Sequence, residues 1–346
     1  MDGAQASLFR PTPAESTSRL RALVSRTLLA TSLFSALLVP LVSANPAPTE
    51  HEVGNPQFPK PTVLTARVDF WRRIYTEFGV GDFVLHDREN LAIIYDVVHV
   101  NGTTNERGAA EKAAPGVRRL RSRYESVLTS LARGVPPETL GFEGRWVAQA
   151  WGCPCSRKVL LRAAGNLRVQ QGIRERVDEG IGRARTLMPQ ILSILRRHNL
   201  PLELAALPLV ESSFNPHARS KAGAVGLWQF IMTTGKWYLN INGRRDDRLD
   251  PIRATEAAAQ LLRENYEALG SWPLALLAYN HGKGGIMVAK ARVGSSAVEE
   301  IIVRYNGPRF GFASKNFYPE FLAALEVVHP VILAHSRPSG DFVRDP

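Results

Sequence analysis

Helix start and stop signals punctuate the C-terminal half of the sequence. Asp250 and Pro251 form a capping residue followed by a first-turn proline, and Gly270 ends the apolar stripe that begins there. Ser271 and Pro273 then begin the apolar segment SWPLALLAYN. Because the apolar residues recur at the helical period and many are small alanines, these signals predict consecutive helices in close contact. The sequence therefore predicts an all-α lobe in this half.

The N-terminal half shows the same helical spacing over much of its length. The segments RVDFWRRIYTEFG and RENLAIIYDVVHV are both interpreted as helical, and 101–116 is interpreted as a polar loop. Further helices are predicted from Val117 and from about Gln171 to His198. The alternation of polar and apolar residues that is typical of strands is scarce. We therefore predict an all-α fold class with a small irregular or β-like segment.

The composition is that of a globular protein with a basic surface. Of 346 residues, 45% are hydrophobic and 22% are charged, and the formal net charge is +11. A surplus of this size favours acidic partners, such as nucleic acid, anionic lipid or an acidic cell-wall polymer. The basic residues are scattered rather than gathered in one tail, and no RNA- or DNA-reading motif is present. We therefore predict no nucleic-acid partner.

The first 44 residues have the layout of a secretory signal. Arg19, Arg21 and Arg26 precede the apolar run TLLATSLFSALLVPLVSA, which closes on small residues at Ala44. The apolar centre is short for a membrane span, which needs ~20 residues. An uncleaved anchor, which would hold the protein at a membrane, stays open as the alternative. In both cases we expect export to the periplasm or the cell envelope.

Cys153 and Cys155 are the only cysteines, and they lie one residue apart in the segment WGCPCSRK. Two alternatives stay open: a strained disulfide in an oxidising compartment, or two surface thiols. A metal site would need further ligands at suitable spacing, and none is adjacent. We therefore expect a structural role for this pair and no bound metal.

Glu211 follows an apolar run in the segment LPLVESSF, where an unpaired buried charge would be costly. Pro208 predicts a kink in this helix, and Glu211 at its end would point into a partly apolar cleft. Burial of a carboxyl raises its pKa, which suits a group that acts first as a general acid and then as a base. The alternative is a solvated glutamate that ends a helix.

Three motifs occur in order: ESSF at 211–214, GAVGLWQF at 223–230 and ALLAYNHG at 275–282. Together they resemble the catalytic domain of the lytic murein transglycosylases, which are related to goose-type lysozyme. Upstream segments are similar to the membrane-bound lytic transglycosylase D branch, and the resemblance covers roughly 65–335. It implies a lysozyme-like catalytic domain preceded by an N-terminal helical region.

The resemblance and the composition together predict how the chain is divided. The predicted parts are a signal peptide at 1–44, a proline-rich linker at 45–63, an N-terminal helical region at 64–195, a lysozyme-like transglycosylase domain at 196–335 and a C-terminal tail at 336–346. The linker is inferred from its proline and polar residues.

The resemblance also implies a set of site residues. Glu211 corresponds to the single catalytic acid and base of the family. Ser212 would help to hold that carboxyl or the acetamido group of the sugar, and Gln229 would hydrogen-bond sugar in the cleft. Tyr279 and Asn280 would line the opposite side of the cleft and help to orient the glutamate.

This sequence departs from the family pattern at two places. Many relatives have a tyrosine where this chain has Phe317 in the run FYP. Two alternatives stay open: Phe317 fills that position and the hydroxyl is absent, or Tyr318, a candidate substrate-binding residue, supplies it from a shifted position. His281 and Lys283 follow the third motif where an acidic residue is common. In the second motif, Trp228 is interpreted as a core aromatic rather than a sugar contact.

The family chemistry uses a single acid. The aspartates downstream of that acid, Asp246, Asp247 and Asp250, include no well-placed second carboxylate, so the substrate itself would supply the nucleophile. Glu211 would cleave the β-1,4 bond between N-acetylmuramic acid and N-acetylglucosamine in peptidoglycan glycan strands, giving a 1,6-anhydro end without a cofactor. A muramidase-type hydrolase and a noncatalytic wall-binding or scaffold protein are the alternatives. The oligomeric state stays open.

Overall fold

The computed structural model describes residues 56–102 and 106–336. The predicted signal peptide at 1–44 lies outside the described residues, as do the first part of the predicted linker and nearly all of the predicted tail. The α-helices are α1 (Thr65–Thr76), α2 (Glu106–Ala132), α3 (Gly141–Ala150), α4 (Arg157–Gly165), α5 (Arg174–Arg197), α6 (Leu207–Ser212), α7 (Met232–Tyr238), α8 (Pro251–Leu269), α9 (Trp272–His281), α10 (Lys283–Val293), α11 (Val298–Arg304) and α12 (Phe312–Ser336). The strands are β1 (Asp82–Asp87), β2 (Ile94–His99), β3 (Leu167–Gln171), β4 (Ile241–Asn242) and β5 (Arg245–Asp246). The mostly α fold class is confirmed.

A three-stranded antiparallel sheet lies in the N-terminal region, where we predicted helix. β1 is the central strand, with β2 on one side and β3 on the other. The helical interpretation of RENLAIIYDVVHV is therefore wrong, because its second half forms β2. Phe83, Val84 and Leu85 of β1 are all buried, each in a different hydrophobic cluster. A strand covered on both faces shows no alternation, so its sequence resembles a short buried helix.

The predicted loop at 101–116 is also wrong over most of its length. Helix α2 begins at Glu106 and continues to Ala132, with Pro115 inside it. Its first turns bury Ala109 and Ala113 in a small cluster with Phe83 of the sheet. Alanine contributes little to an apolar stripe, so this helix face was not visible as a periodic pattern.

The capping signals in the C-terminal half are confirmed. The Asp250 side chain accepts hydrogen bonds from the backbone N–H groups of Ile252 (2.9 Å) and Arg253 (3.0 Å) at the start of α8. Gly270 ends α8 at a φ of 70°, and Ser271 caps α9. The side-chain caps satisfy backbone N–H groups that a helix start would otherwise leave without partners, which fixes both boundaries.

Helix α12 is the centre of the fold. It packs against α1 from the N-terminal region and against α5, α6 and α9 from the C-terminal half. Phe58, within the predicted linker, is buried against Phe321 of α12 with ring centroids 5.2 Å apart. Among the described helices, α12 alone is long and apolar enough to cross a membrane, but 56% of the relevant stretch is buried inside the fold. We interpret it as a core helix.

Cys153 and Cys155 form a disulfide between α3 and α4. Both are half-buried and pack, together with Trp151, against the hydrophobic cluster that contains Leu85 of β1. Of the two alternatives left open by the sequence, the pair of surface thiols is therefore wrong. Ser156 follows at once and caps α4 by accepting from the Val159 N–H.

Candidate active site

Glu211 lies in the last turn of α6, a helix of only six residues. The predicted kink at Pro208 is wrong. Pro208 instead occupies the first turn of α6, after a 3-10 turn at 202–206. Ser213 and Phe214 end the helix in the left-handed conformation, with φ values of 50° and 57°. The side chain of Glu211 is 7% exposed, so the solvated-glutamate alternative does not describe this residue.

The segment 223–230 forms one wall beside α6 and contains a tight backbone approach. Gly226 has a φ of +85°, and a Cβ atom at this position would lie 1.8 Å from the carbonyl oxygen of Arg248. No side chain fits there without moving the backbone. The Trp228 ring is fully buried, and its Nε1 donates to Thr255 Oγ1 at 2.9 Å, which confirms the core interpretation.

Ser212 and Gln229 both use their donor groups on protein backbone. Ser212 Oγ donates to the Leu227 carbonyl at 2.8 Å, which ties α6 to the wall segment. Gln229 Nε2 donates to the carbonyls of Gly226 (2.9 Å) and Ala218 (3.3 Å). These contacts hold the wall in place, whereas the sequence-based roles of both residues were direct contacts to substrate or to the Glu211 carboxyl.

Tyr279 and Asn280 lie at the end of α9 and are half-buried. The Tyr279 hydroxyl donates to the Trp228 carbonyl at 2.7 Å, so α9 is tied to the same wall. Burial and the nearby charge of Glu211 raise the pKa of the Tyr279 phenol well above its ordinary value. Asn280 Oδ1 accepts from Ser314 Oγ at 3.2 Å, which links α9 to α12. Tyr279 thus lies within reach of the charge of Glu211, whereas the contact that the structure shows for Asn280 is with Ser314.

Glu320 of α12 is a second carboxyl beside Glu211, and the sequence analysis missed it. Its side chain is half-buried, and burial together with the charge of Glu211 raises its pKa to about 8, with Arg168 opposing the rise. The expectation that no second carboxyl lies near Glu211 is therefore wrong. The signal was present: Glu320 is a lone acid in the otherwise apolar run FYPEFLAAL.

The three aspartates that the sequence analysis weighed are used elsewhere. Asp246 pairs with Arg248 at 2.7 Å, and Asp250 caps α8. Asp247 is buried and pairs with Arg245 at 2.5 Å. Asp247 also pairs with Arg253 of α8 at 3.4 Å, which links the segment after β5 to the start of that helix.

Tyr75 of α1, rather than Tyr318, is a phenol that senses the charges of Glu211 and Glu320. The Tyr75 ring is buried, and its pKa is raised well above the ordinary value by burial and by the charges of Glu320 and Glu211, while Arg176 opposes the rise. The Tyr318 hydroxyl instead donates to the Pro59 carbonyl at 2.6 Å. Tyr75 lies about 240 positions before Tyr318 in the chain. Local spacing around the last motif therefore could not predict it.

The charge of one buried carboxyl, Glu211, thus acts on groups from three other helices: Tyr75 on α1, Tyr279 on α9 and Glu320 on α12. Within the described residues, no group of three or more His, Cys, Asp or Glu side chains is placed to hold a metal ion. The fold and the site together define a mostly α, lysozyme-like domain with a sheltered glutamate.

Comparison with known proteins specifies that class. Residues 192–302 match the family model of the Transglycosylase SLT domain. Over 109 residues the chain is 42% identical to "Membrane-bound lytic murein transglycosylase D" of Escherichia coli (strain K12), covering 31% of this chain and 24% of that relative. Over 87 residues it is 38% identical to "Transglycosylase" of Enterobacteria phage PRD1, covering 25% of this chain and 31% of that relative. The chain thus spans less than a third of the length of these two relatives. Its segment 192–302 is therefore similar to the Transglycosylase SLT domain family.

Proposed function

We propose that this protein is a peptidoglycan lytic transglycosylase in which Glu211 is the catalytic acid and base. The observation that carries the proposal is the burial of this carboxyl inside the SLT-family segment, beside Tyr279 and facing Glu320. The family of that segment and the names of its relatives support peptidoglycan glycan strands as the substrate. No metal or cofactor takes part in the proposed reaction.

In the proposed reaction, Glu211 first protonates the glycosidic oxygen between N-acetylmuramic acid and N-acetylglucosamine. The bond between C1 and that oxygen breaks, and the 2-acetamido group stabilises the positive charge that develops on the sugar. The ionised Glu211 then removes the proton of the C6 hydroxyl as its oxygen bonds to C1. The product is a 1,6-anhydro end, and no water is consumed. A held hydroxyl competes well against water because its effective concentration is very high.

Glu320 supports the second step of this route, in which Glu211 is ionised, when Glu320 itself is protonated. Its raised pKa, about 8, keeps most of this carboxyl neutral at neutral pH, so it adds no second negative charge beside Glu211. A neutral carboxyl can also donate a hydrogen bond to substrate. We propose that Glu320 acts as a positioning group for the sugar and for Glu211.

The presence of a second carboxyl, Glu320, near Glu211 favours a second candidate function, a muramidase-type hydrolase. Hydrolytic glycosidases commonly use two carboxyls, one as an acid and one as a base for water. Glu320 would have to be ionised to take the second role, and its raised pKa disfavours that form at neutral pH. We therefore place the hydrolase second.

Digestion of purified sacculi by the full chain tests the proposed activity. We expect the wild-type protein to release soluble muropeptides and Glu211→Gln to lose the release by ~1,000-fold or more, since a general acid is removed. Glu267→Gln, an exposed glutamate on α8 of the same lobe, is the matched control and should keep wild-type release. Equal release by Glu211→Gln and wild type would contradict the role of Glu211, and if neither exceeds the release without protein, the noncatalytic wall-binding or scaffold alternative is left.

We also propose that the protein works in the bacterial envelope, where its substrate lies. The signal-like segment 1–44 and the similarity to a relative named as membrane-bound support this location. Fractionation of cells that express the full chain tests it: the protein should appear in the periplasmic or membrane fraction. Removal of 1–44 should leave it in the cytoplasm.

A further inference from the structure

A cavity lies in the N-terminal region, away from the Glu211 cluster. It has a volume of about 370 Å³ and opens between the turn that follows β1 and the outer face of α4. Asp87 and Glu89 line it from the turn, and Lys158 and Arg162 line it from the helix. The SLT-family segment contributes no residue to this lining. The cavity therefore needs its own explanation.

Asp87 lines this cavity and carries a buried acceptor oxygen. The residue is fully buried, and its Oδ1 accepts from the backbone N–H groups of Glu89 (2.8 Å) and Asn90 (2.7 Å). Its Oδ2 is buried and has no hydrogen-bond partner among the described residues. A buried polar atom without a partner is rare and costly in a folded protein. A donor group on a bound ligand would satisfy it.

The opposite side of the cavity carries two cations. Lys158 and Arg162 are four residues apart on α4, so they lie on the same helix face. Both are exposed, and neither forms an ion pair with an acidic side chain in the part of the chain that the structure describes. The cavity thus offers free positive charge on one side and carboxylates on the other.

The third wall is Trp151, which is held in place from two directions. Its Nε1 donates to the Tyr95 hydroxyl at 3.3 Å. The disulfide Cys153–Cys155 follows Trp151 in the chain, and both cysteines pack with Trp151 on the hydrophobic cluster that contains Leu85. A fixed aromatic wall gives an apolar surface on which the aliphatic part of a ligand can pack.

We propose that this cavity binds a zwitterionic amino-acid end, with its ammonium at Asp87 and Glu89 and its carboxylate at Lys158 and Arg162. A ligand that carries both charges can pair with both sides of the cavity, in addition to Arg67, whose charge already acts on Asp87 and Glu89. The proposal rests on the proposed function for the source of the ligand. Peptidoglycan stem peptides contain diamino acids whose free end carries both an amine and a carboxylate. The cavity would then hold a stem peptide while the glycan strand is cleaved elsewhere.

Calorimetric titration of the full chain with meso-diaminopimelic acid tests the proposal, with pimelic acid, which lacks both amines, as the matched control ligand. We expect diaminopimelic acid to bind at least ~10-fold more tightly than pimelic acid, because charge-assisted hydrogen bonds to the amine are lost. Lys158→Ala and Arg162→Ala should each weaken its binding by a similar factor. Both side chains are exposed, so circular dichroism should show an unchanged fold.

Arg157→Ala is the matched control variant, since Arg157 is exposed on the same helix but does not line the cavity. It should bind diaminopimelic acid as wild type does. The proposal is overturned if pimelic acid binds equally well, if Arg157→Ala weakens binding as much as Lys158→Ala, or if no saturable binding occurs. A protein that binds diaminopimelic acid but cannot digest sacculi would overturn the proposed function and leave this inference standing.

Discussion

Replacing Glu320 with glutamine should stabilise the fold at alkaline pH. The folded protein raises the pKa of this carboxyl from an ordinary value of 4.5 to about 8, through burial and the charge of Glu211. A raised carboxyl pKa means that the folded state favours the protonated form. The contribution of the Glu320 carboxyl to the free energy of unfolding is therefore fully present below pH 4.5 and is lost as the pH rises towards 8. Glutamine stays neutral throughout and avoids the loss.

The magnitude follows from the gap between the two pKa values. At about 1.4 kcal/mol for each pKa unit, the gap gives an upper limit of about 5 kcal/mol. Glu320 is half-buried and coupled to Glu211, so solvent screening reduces the expected effect to ~2–3 kcal/mol. The positioning group therefore lowers the stability of the folded protein at the pH where it is ionised.

Urea denaturation of wild type and Glu320→Gln at pH 5 and pH 9 measures this difference. The free energy of unfolding of wild type should fall by ~2–3 kcal/mol more than that of the variant between these two pH values. Glu326→Gln, an exposed acid on the same helix, is the control and should follow wild type closely. Parallel pH dependences for wild type and Glu320→Gln would refute the assignment of Glu320 to a buried carboxyl pair.

Four further substitutions test the wall of the site, each by denaturation. Gly226→Ala should lower the free energy of unfolding by more than ~2 kcal/mol, because the new Cβ would meet the Arg248 carbonyl oxygen at 1.8 Å. Gly223→Ala has a similar φ of +83° and open space, so it should lose only ~1 kcal/mol, and equal losses would contradict the steric argument. Ser212→Ala should lose ~1–2 kcal/mol, since a buried backbone carbonyl loses its donor. Tyr279→Phe should lose a similar amount for the same reason, and an unchanged midpoint would contradict its hydrogen bond to the wall.

Local signals in the sequence were enough to locate the capped helices and the buried glutamate. Asp250 and Ser271 are N-caps, and Gly270 ends α8, because each boundary depends only on neighbouring residues. The burial of Glu211 followed from its position after an apolar run. These features need no information about distant parts of the chain.

Long-range packing decided what the sequence analysis missed. The central strand β1 is covered on both faces, so its residues show no polar alternation. Glu320 comes near Glu211 because α12 packs against α6, and Tyr75 joins them because α1 packs against α12. The hydroxyl of Tyr318 contacts Pro59 for the same reason. Such pairings are properties of the tertiary fold.

Mass spectrometry of the muropeptides that the full chain releases from purified sacculi tests the central claim most directly. If Glu211 directs the C6 hydroxyl of the sugar onto C1, the released muramic acid ends carry a 1,6-anhydro bond. Their masses are then lower by one water than those of the same fragments made by a muramidase. Fragments with hydrated, reducible ends as the main product would contradict the transglycosylase account and establish Glu211 and Glu320 as a hydrolytic pair.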